Sequence, residues 1–134
     1  MREILFRGKA VNLHNRSKDF VYGQYVQNRD GKMIYSDTWE NGKQKHYVIE
    51  ETIGQYTGLT DKNGTKIFEG DIVKTDKFNT PNKHYVITYD LLLGAFIGED
   101  DGTMYFTTFD GDSELFEVIG NIYDNPKLLK GGER

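Results

Sequence analysis

Apolar and polar residues alternate along this chain in short runs separated by turn residues, a pattern typical of β-strands. The first clear run, residues 20–26 (FVYGQYV), is rich in aromatic and β-branched side chains. An Asp30-Gly31 pair precedes a second run at residues 32–35, and an Asn41-Gly42 pair precedes a third at residues 46–49. Because such pairs favour the tight turns of hairpins, the pattern predicts two consecutive β-hairpins.

The second half of the chain continues the same pattern. A turn at residues 61–64 leads into a strand at residues 66–68, and Gly70-Asp71 begins another. The remaining predicted strands are residues 85–89, 91–97, 104–109 and 115–119. A cap at Asn125, with Pro126 at the first helical position, predicts about one helical turn. Short, regularly spaced strands of this kind predict a mainly β fold, a small barrel or sandwich.

The domain organisation follows from where the pattern changes, since no Ser/Gly-rich linker divides the chain. We expect an N-terminal β-hairpin subdomain over residues 1–60, a β-barrel subdomain over residues 61–130 and a flexible tail over residues 131–134, in one compact unit. Two segments, ETIGQY at residues 51–56 and EVIGNI at residues 117–122, carry a Gly at the same place. We interpret them as two equivalent strand bends, the alternative being a duplicated ligand-contacting edge.

Composition excludes several classes of site. The 134 residues include no Cys, so neither a disulfide nor a thiolate zinc site can form. The histidines, His14, His46 and His84, have no metal-binding spacing, and no Gly-rich phosphate loop or nucleophile elbow occurs. The longest apolar run, residues 91–97, is too short to span a membrane. We therefore expect a cytoplasmic protein without metal or cofactor.

Charge is distributed unevenly around a net value of −4. Residues 1–48 carry nine Lys and Arg against five acids, whereas residues 88–126 carry nine acids and no Lys, Arg or His. A stretch without cations cannot neutralise phosphates, so a nucleic acid would have to bind the first half, through Arg2, Arg7 and Arg29. The same asymmetry favours self-association, because the two halves attract each other within or between copies.

Aromatic and acidic side chains supply the candidate binding residues. Trp39 is the only tryptophan and is either an interface anchor or a cap on the barrel. Tyr22, Tyr25 and Tyr35 accompany it on the predicted hairpins. Glu69 and Asp71 form a second candidate cluster, for which the simpler explanation is a turn that begins a strand.

Catalytic chemistry has little support in the sequence. Asp110, Asp112 and Glu114 could gather a hard cation, but a calcium loop fails because Leu115 stands at its sixth position and Asn121 at its twelfth. No other constellation identifies a reaction. A metal-dependent hydrolase or nuclease is therefore kept only as an alternative to a binding protein.

Four segments carry a family resemblance: MREILFR, VYGQYVQ, TIGQYTGLTDKNGTKIFEGDIVK and EVIGNIYDNPKLL. Together, over residues 1 to about 129, they resemble the YopX family of phage and prophage proteins. The resemblance implies a mainly β fold containing an SH3-like barrel, encoded by a bacteriophage or prophage, and it implies no particular activity. Gly8-Lys9-Ala10 departs from the Ala-Trp-Asp-like start often found in that family.

These observations lead to one functional hypothesis. We expect a phage or prophage accessory protein that self-associates and acts as a non-catalytic, macromolecule-binding β module. A protein is the expected partner, and nucleic-acid binding through the basic first half is the alternative.

Overall fold

A computed structural model describes residues 3–11, 19–38, 42–75, 83–100, 105–107 and 115–131. The chain forms two compact units, Met1–Tyr56 and Thr57–Arg134. The described residues are mostly in antiparallel strands, which confirms the predicted mainly β class. No helix among them is long and apolar enough to cross a membrane.

The first unit is an antiparallel arrangement of strands. Its elements are β1 (Phe6–Lys9), β2 (Phe20–Asn28), β3 (Gly31–Thr38), β4 (Gly42–Tyr47), a 3₁₀ turn (Glu50–Thr52) and the beginning of β5 (Gly54–Thr60). The strands lie side by side in the order β4-β3-β2-β1-β5. Both predicted hairpins are confirmed, because Asn28 pairs with Gly31 across one turn and Thr38 pairs with Gly42 across the other.

Strand β2 changes partner at Gly23. Its first part pairs with β1, with Phe6 opposite Gly23, and from Gln24 onward it pairs with β3, with Tyr35 opposite Gln24. A Cβ atom at Gly23 would lie 1.9 Å from the carbonyl oxygen of Tyr35. Only glycine therefore permits this close approach of the two backbones.

The second unit is built around a five-stranded antiparallel sheet. Its elements are β6 (Lys66–Phe68), β7 (Asp71–Thr75), β8 (Tyr85–Asp90), β9 (Ala95–Glu99), β10 (Tyr105–Thr107), β11 (Phe116–Asn121) and α1 (Lys127–Gly131). The sheet has the order β10-β9-β8-β7-β11, and β6 lies beside β5. The predicted C-terminal helical turn is confirmed as α1.

Large side chains from four strands form the core of this second unit. They are Ile67, Val73, Tyr85, Ile87 and Phe116, all at most 1% exposed. Each such residue removed from water stabilises the fold by about 1.5–3 kcal/mol, so this cluster is the main source of stability in the unit.

The turn between β5 and β6 is organised by one buried carboxylate. Asp61 Oδ1 accepts hydrogen bonds from the N–H groups of Asn63 and Thr65, at 2.8 and 2.9 Å. Asp61 Oδ2 accepts a third from Val118 in β11, at 2.9 Å. Burial by itself raises the pKa of Asp61, but the backbone hydrogen bonds outweigh it and hold the pKa below its ordinary value.

Strand β11 contains the predicted irregularity at its glycine. Its pairing with β7 shifts register between Val118 and Gly120. A Cβ atom at Gly120 would lie 2.6 Å from Asn125 Oδ1, the same atom that accepts the N–H of Asn121. The helix that follows is fastened to β8, because His84 Nδ1 lies 2.7 Å from the carbonyl oxygen of Leu128, to which it donates.

One predicted strand is wrong over its first four residues. Residues 91–94 form a turn, and β9 begins only at Ala95. Asp90 Oδ1 accepts the N–H groups of Leu92 and Leu93, at 2.8 and 3.0 Å, and Gly94 adopts a φ of 63°. The three leucines suggested a strand, but an Asp cap and a left-handed Gly hold this segment in a tight turn.

Candidate functional site

A cation–aromatic patch lies on β1 and β2 of the first unit and consists of Arg7, Lys9, Phe20 and Tyr22. Arg7 pairs with Tyr22 and Lys9 with Phe20, so all four side chains share one face of the strand pair. The Arg7 guanidinium carbon and the Lys9 Nζ lie 4.1 and 4.3 Å from the centre of the Phe20 ring. The negative face of this ring stabilises both cations.

The cations of this patch are buried, whereas its tyrosine is open to solvent. Arg7 and Lys9 are each 5% exposed, and Tyr22 is 46% exposed. The rings of Tyr22 and Phe20 lie 6.3 Å apart at 51°. Of the other predicted nucleic-acid contacts, Arg29 is exposed in the β2–β3 turn, and Arg2 lies outside the described residues.

The predicted tyrosine set is divided between two faces. Tyr22 and Tyr25 are an odd number of positions apart on β2, so they point to opposite faces. Tyr25 packs against Phe6, with ring centres 5.7 Å apart, and its hydroxyl donates to Gln27. Tyr35 is opposite Gln24 and therefore shares the face of Tyr22. Trp39 lies outside the described residues.

The second predicted cluster, Glu69 and Asp71, lies at the turn between β6 and β7. Asp71 is buried, and its Oδ2 accepts the N–H of Phe68 at 2.8 Å. Gly70 between them has a φ of 90°, which favours glycine. This geometry agrees with the simpler explanation, a turn that begins a strand, and Glu69 beside it is half-buried.

Metal-ligating side chains do not gather in the part of the chain that the structure describes, where no group of three His, Asp or Glu residues lies close together. The carboxylates Asp110, Asp112 and Glu114 lie outside that part. Two ion pairs occupy other charged groups. Lys32 pairs with Glu50, whose hydrogen bond raises the pKa of Lys32, and Lys83 pairs with Asp100 at 2.7 Å.

Sequence reasoning missed the most exposed apolar feature, the leucine turn, which consists of Leu91, Leu92 and Leu93. Leu91 is 87% exposed and Leu92 is 98% exposed, and Leu93 is also exposed. Isolated exposed leucines are ordinary, but three in succession at the tip of a hairpin form a continuous apolar surface. The Asp before them and the Gly after them were the sequence signal for a turn.

A second exposed apolar surface, the bridge patch, lies in the first unit and consists of Val11, Tyr47 and Ile49. Ala10 and Val48 form an isolated β-bridge. Beside it, the Val11 N–H donates to the Tyr47 carbonyl at 2.8 Å, and the Ile49 N–H donates to the Lys9 carbonyl at 2.9 Å. Val11, Tyr47 and Ile49 therefore point to the face opposite Val48, and all three are exposed.

Comparisons with known proteins extend this geometry. A family model described as YopX protein matches residues 6–130. The crystal structure of protein EF1440 from Enterococcus faecalis is similar, with a TM-score of 0.58 and 22% sequence identity over 96% of this chain and 99% of that one. At this identity the likeness shows the fold alone. No curated protein matches the chain.

Proposed function

Because this chain belongs to the YopX family, we propose that it is a non-catalytic binding module whose partner is a protein. The leucine turn carries this proposal, since it presents a continuous apolar surface that water covers in the free protein. Burying an exposed leucine removes apolar area from water, which is the main favourable contribution to most protein associations.

The turn is also held in one conformation before any partner binds. The Asp90 carboxylate accepts two of its N–H groups, and the Gly94 N–H donates to the Asp90 carbonyl at 2.8 Å. Binding therefore orders little additional backbone, and the gain from burying the leucines is not offset by a large loss of entropy.

Several observations support a protein over a nucleic acid as the partner. The leucine turn belongs to the stretch of residues 88–126, which contains nine acids and no cation and repels phosphates. In the first unit, Arg7 and Lys9 are buried against Phe20 and are not presented to solvent. Arg29 is exposed and stays the predicted contact for a nucleic acid.

The residues predicted from sequence form a second proposed contact surface. Tyr22 offers an exposed ring, and tyrosine is enriched at protein interfaces because it combines an apolar ring with a polar hydroxyl. Tyr35 shares its face, and Trp39 follows on the same hairpin. Tyr25 contacts Phe6 on the other side and contributes less to such a surface.

Two finer features belong to the same proposal. The second unit is proposed to be the SH3-like barrel, which is supported by its strand order: consecutive antiparallel strands β7 to β10, with β11 returning beside β7. The gene is proposed to belong to a phage or prophage, on the resemblance of the four sequence segments to that family.

Affinity capture from phage-infected host cells tests the proposed function. The immobilised baits are the wild-type protein, Leu92→Asp and Leu115→Asp, each with and without nuclease treatment. Leu115 is also exposed but lies outside the turn, so its variant is the matched control. We expect a protein that survives nuclease treatment, binds the wild type and Leu115→Asp, and is lost with Leu92→Asp.

Other outcomes would overturn the proposal. Loss of every captured partner on nuclease treatment would identify a nucleic-acid-binding protein. Turnover by the purified protein in a broad hydrolase screen would identify an enzyme. Equal capture by Leu92→Asp and the wild type would exclude the leucine turn as the binding surface.

A further inference from the structure

Resting on the proposed function, we infer that one partner of the leucine turn is a second copy of this chain, which receives the turn on its bridge patch. The turn, Leu91 to Leu93, is the most exposed apolar surface among the described residues of the second unit, and the bridge patch is an exposed apolar surface of the first. An association between copies covers both at once, so two surfaces that cost free energy in water are buried by one contact.

The bridge patch has the shape of a receiving surface. Its backbone is fixed on both sides, because the Val11 N–H and the Ile49 N–H donate to the opposite chain at 2.8 and 2.9 Å. Tyr47 lies between them on β4, opposite Met33, which is 1% exposed. The patch thus consists of side chains standing on a rigid, hydrogen-bonded backbone, and its exposed tyrosine is of a type enriched among residues that dominate binding.

The charges of the two surfaces are complementary. Asp90 begins the leucine turn, and the charged residues that follow it in β9 and just after, Glu99 and Asp100, are also acidic. On the receiving side, Lys45 is exposed and lies two residues before Tyr47 on the same face of β4. The neighbouring acid Glu50 is paired with Lys32. Residues 1–48 as a whole carry a net charge of +4. Opposite charges therefore orient the turn towards the patch.

A lipid surface fits the turn less well than a second copy does. Exposed leucines insert into membranes, but stable membrane binding by a short apolar loop needs Lys or Arg to contact anionic headgroups. The leucine turn lies in a stretch of 39 residues without any cation, so an anionic membrane repels it.

The contact has a definite symmetry consequence. The turn and the patch are different surfaces, so one copy can donate its turn and receive the partner's turn at the same time. Two reciprocal contacts related by a two-fold axis close the assembly as a dimer, whereas a single head-to-tail contact would extend into a filament.

Sedimentation equilibrium of the purified full chain over a range of concentrations tests the inference. We expect a wild-type dimer, and a dissociation constant raised about thirtyfold or more by Leu92→Asp and by Tyr47→Asp, because each places a charge in the apolar contact. Leu115→Asp is the control outside both surfaces and is expected to leave the constant unchanged. Circular dichroism verifies that each variant is folded, and Val11→Asp replaces Tyr47→Asp if that variant is not.

Mixing the two variants separates this arrangement from other dimers. Leu92→Asp keeps an intact patch and Tyr47→Asp keeps an intact turn, so together they can form one of the two contacts. We expect the mixture to form a heterodimer where neither variant alone associates. A dimer in which leucine turns pack on each other would be unaffected by Tyr47→Asp and would not be restored by mixing, which overturns the inference.

The remaining outcomes also decide the matter. A wild-type chain that is monomeric at all concentrations overturns the second copy as partner, while the capture experiment still tests the protein-binding function independently. Leu92-dependent binding of a monomer to phosphatidylcholine vesicles would identify a lipid surface instead. A wild-type dimer whose dissociation constant rises with NaCl concentration supports the complementary charges, because salt screens them.

Discussion

The carboxylate of Asp61 accepts a hydrogen bond from the backbone N–H of Val118, a residue 57 positions further along the chain, at 2.9 Å. The other oxygen of the same carboxylate closes its own turn through Asn63 and Thr65. Because Val118 lies in β11, the last strand of the sheet, one side chain connects a local turn to a distant strand.

Replacing Asp61 is expected to destabilise the protein strongly. Asp61→Ala leaves three N–H groups without their acceptor, and hydrogen bonds to a charged group contribute about 1.5–3 kcal/mol each before compensation by water. We expect the free energy of unfolding in urea to fall by about 3 kcal/mol. Asp61→Asn keeps one acceptor oxygen and is expected to lose less. Equal stability of Asp61→Ala and the wild type would contradict this role.

Acid sensitivity follows from the same carboxylate. The folded protein holds the pKa of Asp61 below the ordinary value of 3.8, so the unfolded chain binds the proton more tightly. The stabilisation is therefore complete above pH 3.8 and is lost as the pH falls through the lower, folded pKa. We expect urea unfolding of the wild type to show this acid loss and Asp61→Asn to lack its share of it.

Gly23 is expected to tolerate no side chain. In Gly23→Ala the new methyl group meets the Tyr35 carbonyl oxygen at 1.9 Å, so β2 and β3 must separate locally. We expect a loss of about 3 kcal/mol in urea unfolding, the upper end of overpacking costs. Gly64→Ala is the control, because its Cβ meets open space and only its φ of 83° opposes it, at about 1 kcal/mol. The interpretation fails if the two variants are equally stable.

Phe20 is expected to stabilise the first unit through its two cations. In Phe20→Leu most of the apolar contact is kept, but the ring faces that Arg7 and Lys9 contact are lost. Because both cations are buried, we expect a loss of about 1–2 kcal/mol. Tyr22→Leu is the matched control on the same face and should change stability by less than about 0.5 kcal/mol. A double-mutant cycle with Arg7→Met measures the coupling, which a purely apolar role for Phe20 would leave near zero.

Much of the fold could be predicted because it depends on local turn chemistry. Asp30-Gly31 and Asn41-Gly42 announced the two hairpins, and Asn125 with Pro126 announced α1. In each case the residues that determine the backbone conformation lie within a few positions of one another, so no distant contact is needed to recognise them.

The binding residues were harder to predict because exposure depends on distant contacts. Arg7 was expected to face a phosphate, but pairing of β1 with β2 brings Phe20 over its guanidinium group. Leu91 to Leu93 suggested a buried strand by composition alone, and the Asp90 cap holds them in an exposed turn. Apolar content does not reveal whether a segment is covered, since that depends on which elements pack around it.

The sequence by itself determined that the chain is mainly β, where most of its turns lie, and that its charge is divided between a basic first part and an acidic later one. These properties are local or additive along the chain. Only the tertiary structure decided that Asp61 reaches Val118, that Arg7 and Lys9 are buried by Phe20, and that three leucines stand in solvent. Those outcomes depend on pairing between residues far apart in the chain, which the residue pattern of either partner does not specify.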